Sequence, residues 1–391
     1  MPVELKQGKI IDDRFEIVCE LGNGGEGIVW YGHDRKLNRE IAIKLLKRQG
    51  VNWFSSNEDL VVEEARKVAG LNHPNIVAIY DVPMVEGDRL IVMEYLEGGS
   101  LEERLKKLCK QGKWISQPEA FRIIEEVLKG LQAAHSSSQG TIIHRDLKPA
   151  NILFDHAGRA KLADFGFASI GVIDKVATFD KFGLHPEGTP CYMSPEQLNL
   201  DRIDHRSDLF NVGLIAYLLF SSAHPFVDHR LLFDYKEMVL QPYCQLPLIK
   251  EMMQQPCRSL AGIVAEHLPT ELEVFVLKLL ALDPANRFQT ASEAFAELED
   301  AKNRYQKLVL DHALKLHDFL KTGLGNSIFL TANELALGIS LCKRSGFYRQ
   351  GAYLYDKAGV DFSELSGEAE EGLENDYKVC VNHAGREVEV T

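Results

Sequence analysis

Eight consecutive residues, His144-Arg145-Asp146-Leu147-Lys148-Pro149-Ala150-Asn151, constrain this chain more than any other stretch, because they crowd an acid, an amide and two cations together. Asp164-Phe165-Gly166 follows, with Asp164 18 residues after Asp146. Short apolar stretches at Ile142, Ile152 to Phe154 and Lys161 to Ala163 lie around these polar groups. At about 100 to 200 residues per domain, 391 residues leave room for two or three folding units with sizeable cores. Hydrophobic residues at 45% and charged residues at 26% are globular values, which exclude wholesale disorder and a coiled-coil rod. With 57 acidic against 44 basic side chains the formal charge is -13, a field that repels polyphosphate, so no nucleic-acid partner is expected.

Phe15 to Leu21, Ile28 to Gly32 and Glu40 to Leu46 read as strands, which makes the front of the chain β-rich. Ser100 with Glu103, Ser116 with Glu119 and Thr290 with Glu293 read as capping boxes that open helices. After Ser116, residues Phe121, Ile124, Leu128 and Leu131 fall on one helical face that should be buried. Leu209 to Phe220 reads as an almost wholly apolar buried helix. Between about residues 164 and 195 the chain has no helical period, and loops of that length are usually functional or disordered. Cys19, Cys109, Cys191, Cys244, Cys257, Cys342 and Cys380 form no C-x-x-C pair, so neither zinc nor a disulfide framework is indicated, and a reducing compartment fits. Met1 to Gly8 has no apolar leader region. Phe210 to Phe220 is far short of the roughly 20 residues that cross a bilayer, so the expectation is a cytoplasmic protein with no membrane span.

Gly22-Asn23-Gly24-Gly25-Glu26-Gly27-Ile28-Val29 fits G-x-G-x-x-G-x-V, where missing Cβ atoms let backbone amides approach phosphate oxygens. A dinucleotide-binding turn would need a helix after the glycines, and Ile28 to Tyr31 continue as a strand instead. On these residues alone a plain glycine-rich hairpin stands level with a phosphate loop. Lys44, in Ile41-Ala42-Ile43-Lys44, supplies one cation among apolar neighbours, suited to anchoring α- and β-phosphates. Such a lysine needs an orienting carboxylate, and Glu64 is chosen over its neighbour Glu63. Phosphoryl transfer is mainly positioning and charge neutralisation, so it needs a carboxylate facing the substrate hydroxyl and oxygen ligands for Mg²⁺. Asp146, Asn151 and Asp164 meet that need.

With these motifs in this order, residues 15 to 300 resemble the eukaryotic-like serine/threonine protein kinase family. The resemblance implies a two-lobed α+β fold, with a β-rich lobe at about 15–95 and a helical lobe at about 97–300, preceded by an extension at 1–14. It implies that Gly22, Gly24 and Gly27 cover the phosphates of ATP and that Lys44 pairs with Glu64. Asp146 would take the proton of the substrate hydroxyl, Lys148 would neutralise charge on the transferring phosphoryl, and Asn151 and Asp164 would hold Mg²⁺, for which Mn²⁺ is a possible substitute. Met93 would guard the back of the adenine pocket, the Glu94 carbonyl and Leu96 backbone would contact the base, and Leu21, Val29, Ala42 and Leu153 would sandwich it. Gly188-Thr189 and Ser194-Pro195-Glu196 resemble the end of an activation segment, with Thr178 as the preferred phosphate acceptor beside Arg145. Arg287 resembles the buried partner of Glu196, and Asp208 the aspartate that braces the catalytic loop. Lys148-Pro149 is similar to the serine/threonine subgroup, and Ser194-Pro195-Glu196 resembles the segment that shapes a peptide platform in this family, so protein substrates are implied and a small-molecule kinase of related fold is disfavoured.

Some positions depart from the family. Ala150 stands where a Glu often accompanies preference for basic substrates, Ser194 where Ala is commoner, and Phe210-Asn211 replace a Trp-Ser pair. Residues 301–391 read as a helical region with an acidic end. Within it, about 331–359 is similar either to one tetratricopeptide unit or to a plain helical hairpin, and it is a possible docking site for a protein partner. A competing class is a nucleotide-binding pseudokinase that works as a scaffold through this tail. It predicts loss of Lys44, Asp146 or Asp164, and all three are present.

Overall fold

The strand-like front of the chain becomes a sheet whose two faces are used differently. The computed structural model describes residues 5–23, 27–46, 66–86, 88–111, 113–165, 190–199, 201–226 and 268–323, with Met253, Cys257 and Leu260. Strands β1 (Ile10–Ile11), β2 (Phe15–Asn23), β3 (Gly27–Asp34), β4 (Arg39–Leu46), β5 (Ile79–Asp81), β6 (Met84–Val85) and β7 (Asp88–Glu94) form one sheet. It is antiparallel, in the order β1-β2-β3-β4-β7-β5, with β6 paired to β7. Successive side chains on a strand point to opposite faces. Ile41, Ile43, Leu45, Leu90 and Val92 accordingly close an outer cluster with Ile11, Phe15, Ile17 and Trp30. The intervening Ala42, Ile91 and Met93 belong to the core of the helical half. Register extends this inner face sideways, with Val29 opposite Lys44, Lys44 opposite Ile91 and Ala42 opposite Met93.

The helical half contains α1 (Leu101–Lys110), α2 (Gln117–His135), the hairpin β8 (Ile152–Phe154) and β9 (Ala160–Leu162), α3 (Pro195–Asn199), α4 (His205–Ser221), α5 (Thr270–Leu279) and α6 (Ala291–Gly323). α1 opens on the expected capping box, in which Ser100 Oγ accepts from the Glu103 N–H at 3.2 Å and Glu103 Oε2 accepts from the Ser100 N–H at 2.9 Å. α2 does not. Ser116 makes no side-chain cap, and Glu119 is drawn off to Arg104 at 2.5 Å. Pro118 starts that helix instead, at a position whose N–H would be orphaned anyway. At α6 the box is split: Thr290 Oγ1 accepts from the Glu293 N–H, but the Glu293 carboxylate takes the N–H of Gln289.

Phe121, Ile124, Leu128 and Leu131 of α2 are buried as the spacing predicts, and every residue of α4 from Ser207 to Phe220 is buried, making α4 the central helix. α6 packs along α2, with the Tyr305 ring 5.5 Å from that of Phe121 and Lys302 Nζ 2.6 Å from Glu125 Oε1. It runs unbroken past residue 300 to Gly323. The expected hairpin at 331–359 and the acidic end lie outside the described residues. Among the described residues no helix is long and apolar enough to cross a membrane.

Candidate active site

The inner face of the sheet looks onto the β8–β9 hairpin, and the polar residues singled out by spacing meet there. Strand alternation leaves Lys44 buried on the inner face, 5% exposed, where its Nζ lies 3.0 Å from Asp164 Oδ1. Glu64, its expected partner, lies outside the described residues, as does Gly24. Gly22 and Gly27 are both described, and their situations differ. A Cβ on Gly22 would meet no atom of the described residues within 4 Å, so these residues leave the space above it open to an approaching group. Gly27 has φ +156°, and a Cβ there would stand 2.2 Å from the Leu45 carbonyl oxygen. This glycine is therefore required by the adjoining strand, whatever binds above it.

Around Asp146 the sequence folds into a compact knot. Pro149–Asn151 form a 3₁₀ turn that brings Asn151 back onto the acid. Asn151 Nδ2 donates to the Asp146 backbone oxygen and to Asp146 Oδ2, both at 2.8 Å, while Lys148 Nζ donates to the same Oδ2 at 2.7 Å. Ala163, the residue before Asp164, donates its N–H to the Asn151 carbonyl at 2.9 Å, which couples the two expected metal ligands through one backbone bond. Asp164 has φ 54° and Arg145 φ 67°, left-handed conformations that non-glycine residues adopt at a cost.

Asp208 holds this loop from below. It is fully buried; its Oδ2 accepts from the His144 N–H (2.8 Å) and its Oδ1 from the Arg145 N–H (2.9 Å), while His135 Nε2 lies 2.8 Å from the same Oδ2. Burial alone would raise the Asp208 pKa. The hydrogen bond from His135 and the nearby histidines outweigh it and keep the group below the usual carboxylate range. His144 sits against Phe165, ring centroids 4.6 Å apart, with Nε2 2.9 Å from the Ala163 carbonyl, and burial pushes its own pKa down.

The segment after the loop is anchored equally firmly. Arg287 donates to both oxygens of Glu196 at 2.7 and 2.8 Å, and also to the carbonyls of Ala281, Leu282 and Arg206. Ser194 and Gln197 form a reciprocal cap at the start of α3, and Gln197 Nε2 reaches the Arg145 carbonyl at 2.5 Å. The departure at Ser194 is thus a cap, and Ser-x-x-Gln was the signal that could have revealed it. At the Phe210-Asn211 departure, Asn211 Nδ2 donates to the Tyr192 carbonyl. Thr178 and Thr189 lie outside the described residues.

The residues expected to line an apolar slot for a base are mostly part of one cluster. Met93 and Ala42 are buried, and Val29, Leu96 and Leu153 pack against the same cluster. Leu21 does not join them, being 47% exposed. The strap from Glu94 to Gly99, which would bound such a slot, is tied to β8 by Gly98 N–H to the Phe154 carbonyl (3.0 Å) and Phe154 N–H to the Gly99 carbonyl (2.9 Å). Residues that sequence reasoning passed over are Gln197, His135 and Lys161, whose partners lie far off along the chain.

The protein kinase domain family matches residues 15–297. A probable serine/threonine-protein kinase of Clostridium perfringens is 33% identical over 298 residues, covering 75% of this chain and 39% of that protein. The serine/threonine-protein kinase PrkC of Bacillus subtilis is 32% identical, covering 75% and 41%. PknB of Mycobacterium tuberculosis is 33% identical, covering 75% and 44%. The chain thus spans less than half the length of these relatives. The crystal structure of the Mycobacterium tuberculosis PknI kinase domain shares the fold, with a TM-score of 0.55 at 22% identity over 76% of this chain and 100% of that one. Fold, loop geometry and sequence agree, and the chain belongs to the protein kinase domain family.

Proposed function

We propose that the chain is a serine/threonine protein kinase that transfers the γ-phosphoryl group of MgATP to hydroxyls of protein substrates. The observation that carries this reading is the arrangement of Lys148 and Asn151 on one oxygen of Asp146, with Lys44 and Asp164 paired across the same cleft. The names of the relatives, together with Lys148-Pro149, support the serine/threonine class.

The residues present fit a divalent cation and a nucleotide. Asn151 spends its amide nitrogen on Asp146, which leaves the amide oxygen as a ligand, and Asp164, next to the Ala163 bonded to the Asn151 carbonyl, adds a carboxylate. Two protein oxygens completed by phosphates and water are the ligand set Mg²⁺ prefers, and Mn²⁺ accepts the same set. When bound, the metal neutralises charge on the phosphates. Lys44 would orient the α- and β-phosphates, with Gly22 open beneath their path. Asp146 would accept the proton of the attacking hydroxyl, and Lys148 would balance charge on the transferred group. Leu153, Val29 and Ala42 would exclude water around the base, with Met93 behind it and the Glu94 carbonyl and Leu96 backbone reading its edge.

Regulation by a phosphate on the activation segment belongs to the same proposal. Arg145 Nε is buried and has no hydrogen-bond partner among the described residues, a donor that a phosphate at Thr178 would satisfy. The decisive test is to incubate the protein with MgATP and a generic protein substrate and to map the phosphopeptides. Phosphoserine and phosphothreonine should form with the wild type. Asp146→Asn should bind ATP and lose turnover by at least about 10²-fold, the typical effect of removing one preorganised group. Retention of wild-type turnover by that variant would overturn the assignment. If Thr178→Ala stays fully active and the segment carries no phosphate, the regulatory part fails alone.

A further inference from the structure

We infer that Lys161 is a positioning residue for the adenine nucleotide, acting through the Glu94 side chain; this rests on the ATP-binding reading above. Glu94 ends β7, where the sheet passes into the strap that bounds the slot. Its carboxylate is fully engaged. Both oxygens accept from Lys161 Nζ at 2.8 Å, and Oε2 also accepts from the Ala78 N–H at 3.2 Å. The Glu94 N–H in turn donates to the Ala78 carbonyl at 2.9 Å.

At the other end, Lys161 lies on β9 directly opposite Leu153 on β8, the residue proposed as the floor under the base. Its neighbours are strapped to the segment that leads to Ala78. The Ala160 carbonyl accepts from Asn75 Nδ2 at 2.9 Å, the Leu162 N–H donates to the Asn75 carbonyl at 2.9 Å, and the Val77 N–H donates to the Leu162 carbonyl at 2.9 Å. These bonds close a ring that runs from β9 to residues 75–78, from Ala78 to Glu94, and from Glu94 back to Lys161. One side of the ring carries the start of the strap, and the opposite side carries Leu153. The ring therefore sets the spacing between the edge of the slot and its floor.

Lys161 and Glu94 side chains are 12% and 23% exposed, so the pair is less screened than the surface ion pairs worth about 0 to 1 kcal/mol. Without the ammonium, the carboxylate keeps only the Ala78 N–H and turns toward water, which frees the first peptide of the strap. The catalytic loop is held separately, by Asp208 and by the Asn151 and Lys148 bonds to Asp146. Loss of the pair should accordingly weaken nucleotide binding and spare the transfer step.

The test uses the full chain and three variants: Lys161→Met, Glu94→Gln, and the charge exchange Glu94→Lys with Lys161→Glu. ADP affinity is measured by titration calorimetry, and KM for ATP and kcat are measured separately. Lys161→Met should raise the ADP Kd and the ATP KM about five- to tenfold with kcat within about twofold, and the charge exchange should recover part of that loss. Glu94→Gln, which keeps the shape of the side chain, should shift KM in the same direction and serves if Lys161→Met does not fold. An ATP KM within about twofold of wild type in both single variants overturns the inference. A fall in kcat at unchanged KM does so as well, because it marks loosening of the catalytic loop. A wild-type chain that neither binds ADP nor turns over would defeat the ATP reading itself, and so is told apart.

Discussion

Arg287 is completely buried, and a guanidinium can stay there because the Glu196 carboxylate and three carbonyls receive its N–H groups. Burial works against ionisation of Glu196, but hydrogen bonds from Arg287 and Ser207 prevail and hold its pKa below the usual 4.5. A carboxylate with a lowered folded pKa contributes stability above its unfolded pKa, and that contribution is lost as pH falls through the folded value. Glu196→Gln should therefore cost about 3 to 5 kcal/mol in urea unfolding at pH 7, because it leaves a buried charge unpaired. The variant should also lose part of the wild type's acid sensitivity below pH 4.5. His224 gives a second acid limb. Burial lowers its pKa from 6.5 to about 4, against an opposing hydrogen bond to the Cys191 carbonyl. The unfolded chain then takes up this proton below pH 6.5 and the folded chain only near pH 4, so stability falls across that window. His224→Gln should shrink the drop in urea midpoint between about pH 7 and pH 5; His144 and His73, lowered in the same direction by burial, contribute to the slope that remains. Asp146, Lys148, Asn151 and Asp164 could be singled out from sequence because their chemical identities and spacing carry the signal. The Glu94–Lys161 pair could not, since its members are 67 residues apart and either one alone reads as a solvated charge.

Strands and helices were legible where one local pattern decided them. β4 alternates faces, α2 repeats its apolar residues at helical spacing, and α4 is almost wholly apolar from Leu209 to Phe220. Caps were harder to read, because a Ser and a Glu three residues apart can form a box only if nothing else claims the acid. At Ser100 nothing does; at Ser116 the cation of Arg104 takes Glu119. The glycine-rich turn supplies a prediction at this scale. Gly27→Ala should disrupt the β3–β4 pairing, lowering the melting temperature and nucleotide affinity together, because the new methyl meets the Leu45 carbonyl oxygen at 2.2 Å. Gly22→Ala has free space, so it should leave the melting temperature nearly unchanged while raising the ATP KM. Equal melting temperatures for the two variants would show that Gly27 is not required by the sheet. Gln197→Ala tests α3 in the same way: loss of the cap should cost about 1 kcal/mol, and release of the Arg145 carbonyl should lower kcat by more than that stability loss accounts for.

The two-lobed arrangement was legible from motif order, but the single helix that carries the chain past residue 300 was not. Composition changes near residue 300, whereas α6 continues through that point with Leu298, Ala301 and Tyr305 buried. Continuity of a helix leaves no turn residue to mark such a boundary. A chain ending at Leu308 should therefore unfold cooperatively and retain turnover, whereas one ending at Thr290 should lose its cooperative transition, since Ala294, Leu298, Ala301 and Tyr305 no longer cover α2. Thermal unfolding followed by circular dichroism separates the two outcomes. Inactivity of a well-folded chain ending at Leu308 would make the tail part of the enzyme. The unbroken helix has one more consequence. α6 has 33 residues, a length of about 50 Å, and an α-helix turns about 100° with each residue. Its first half is clamped on α2 by Lys302 and Tyr305. Adding or deleting a single residue between 309 and 323 would thus swing whatever follows Gly323 by more than a quarter turn around the helix axis. The direction in which the chain leaves α6 at Gly323 is set by helical phase, in steps of one residue.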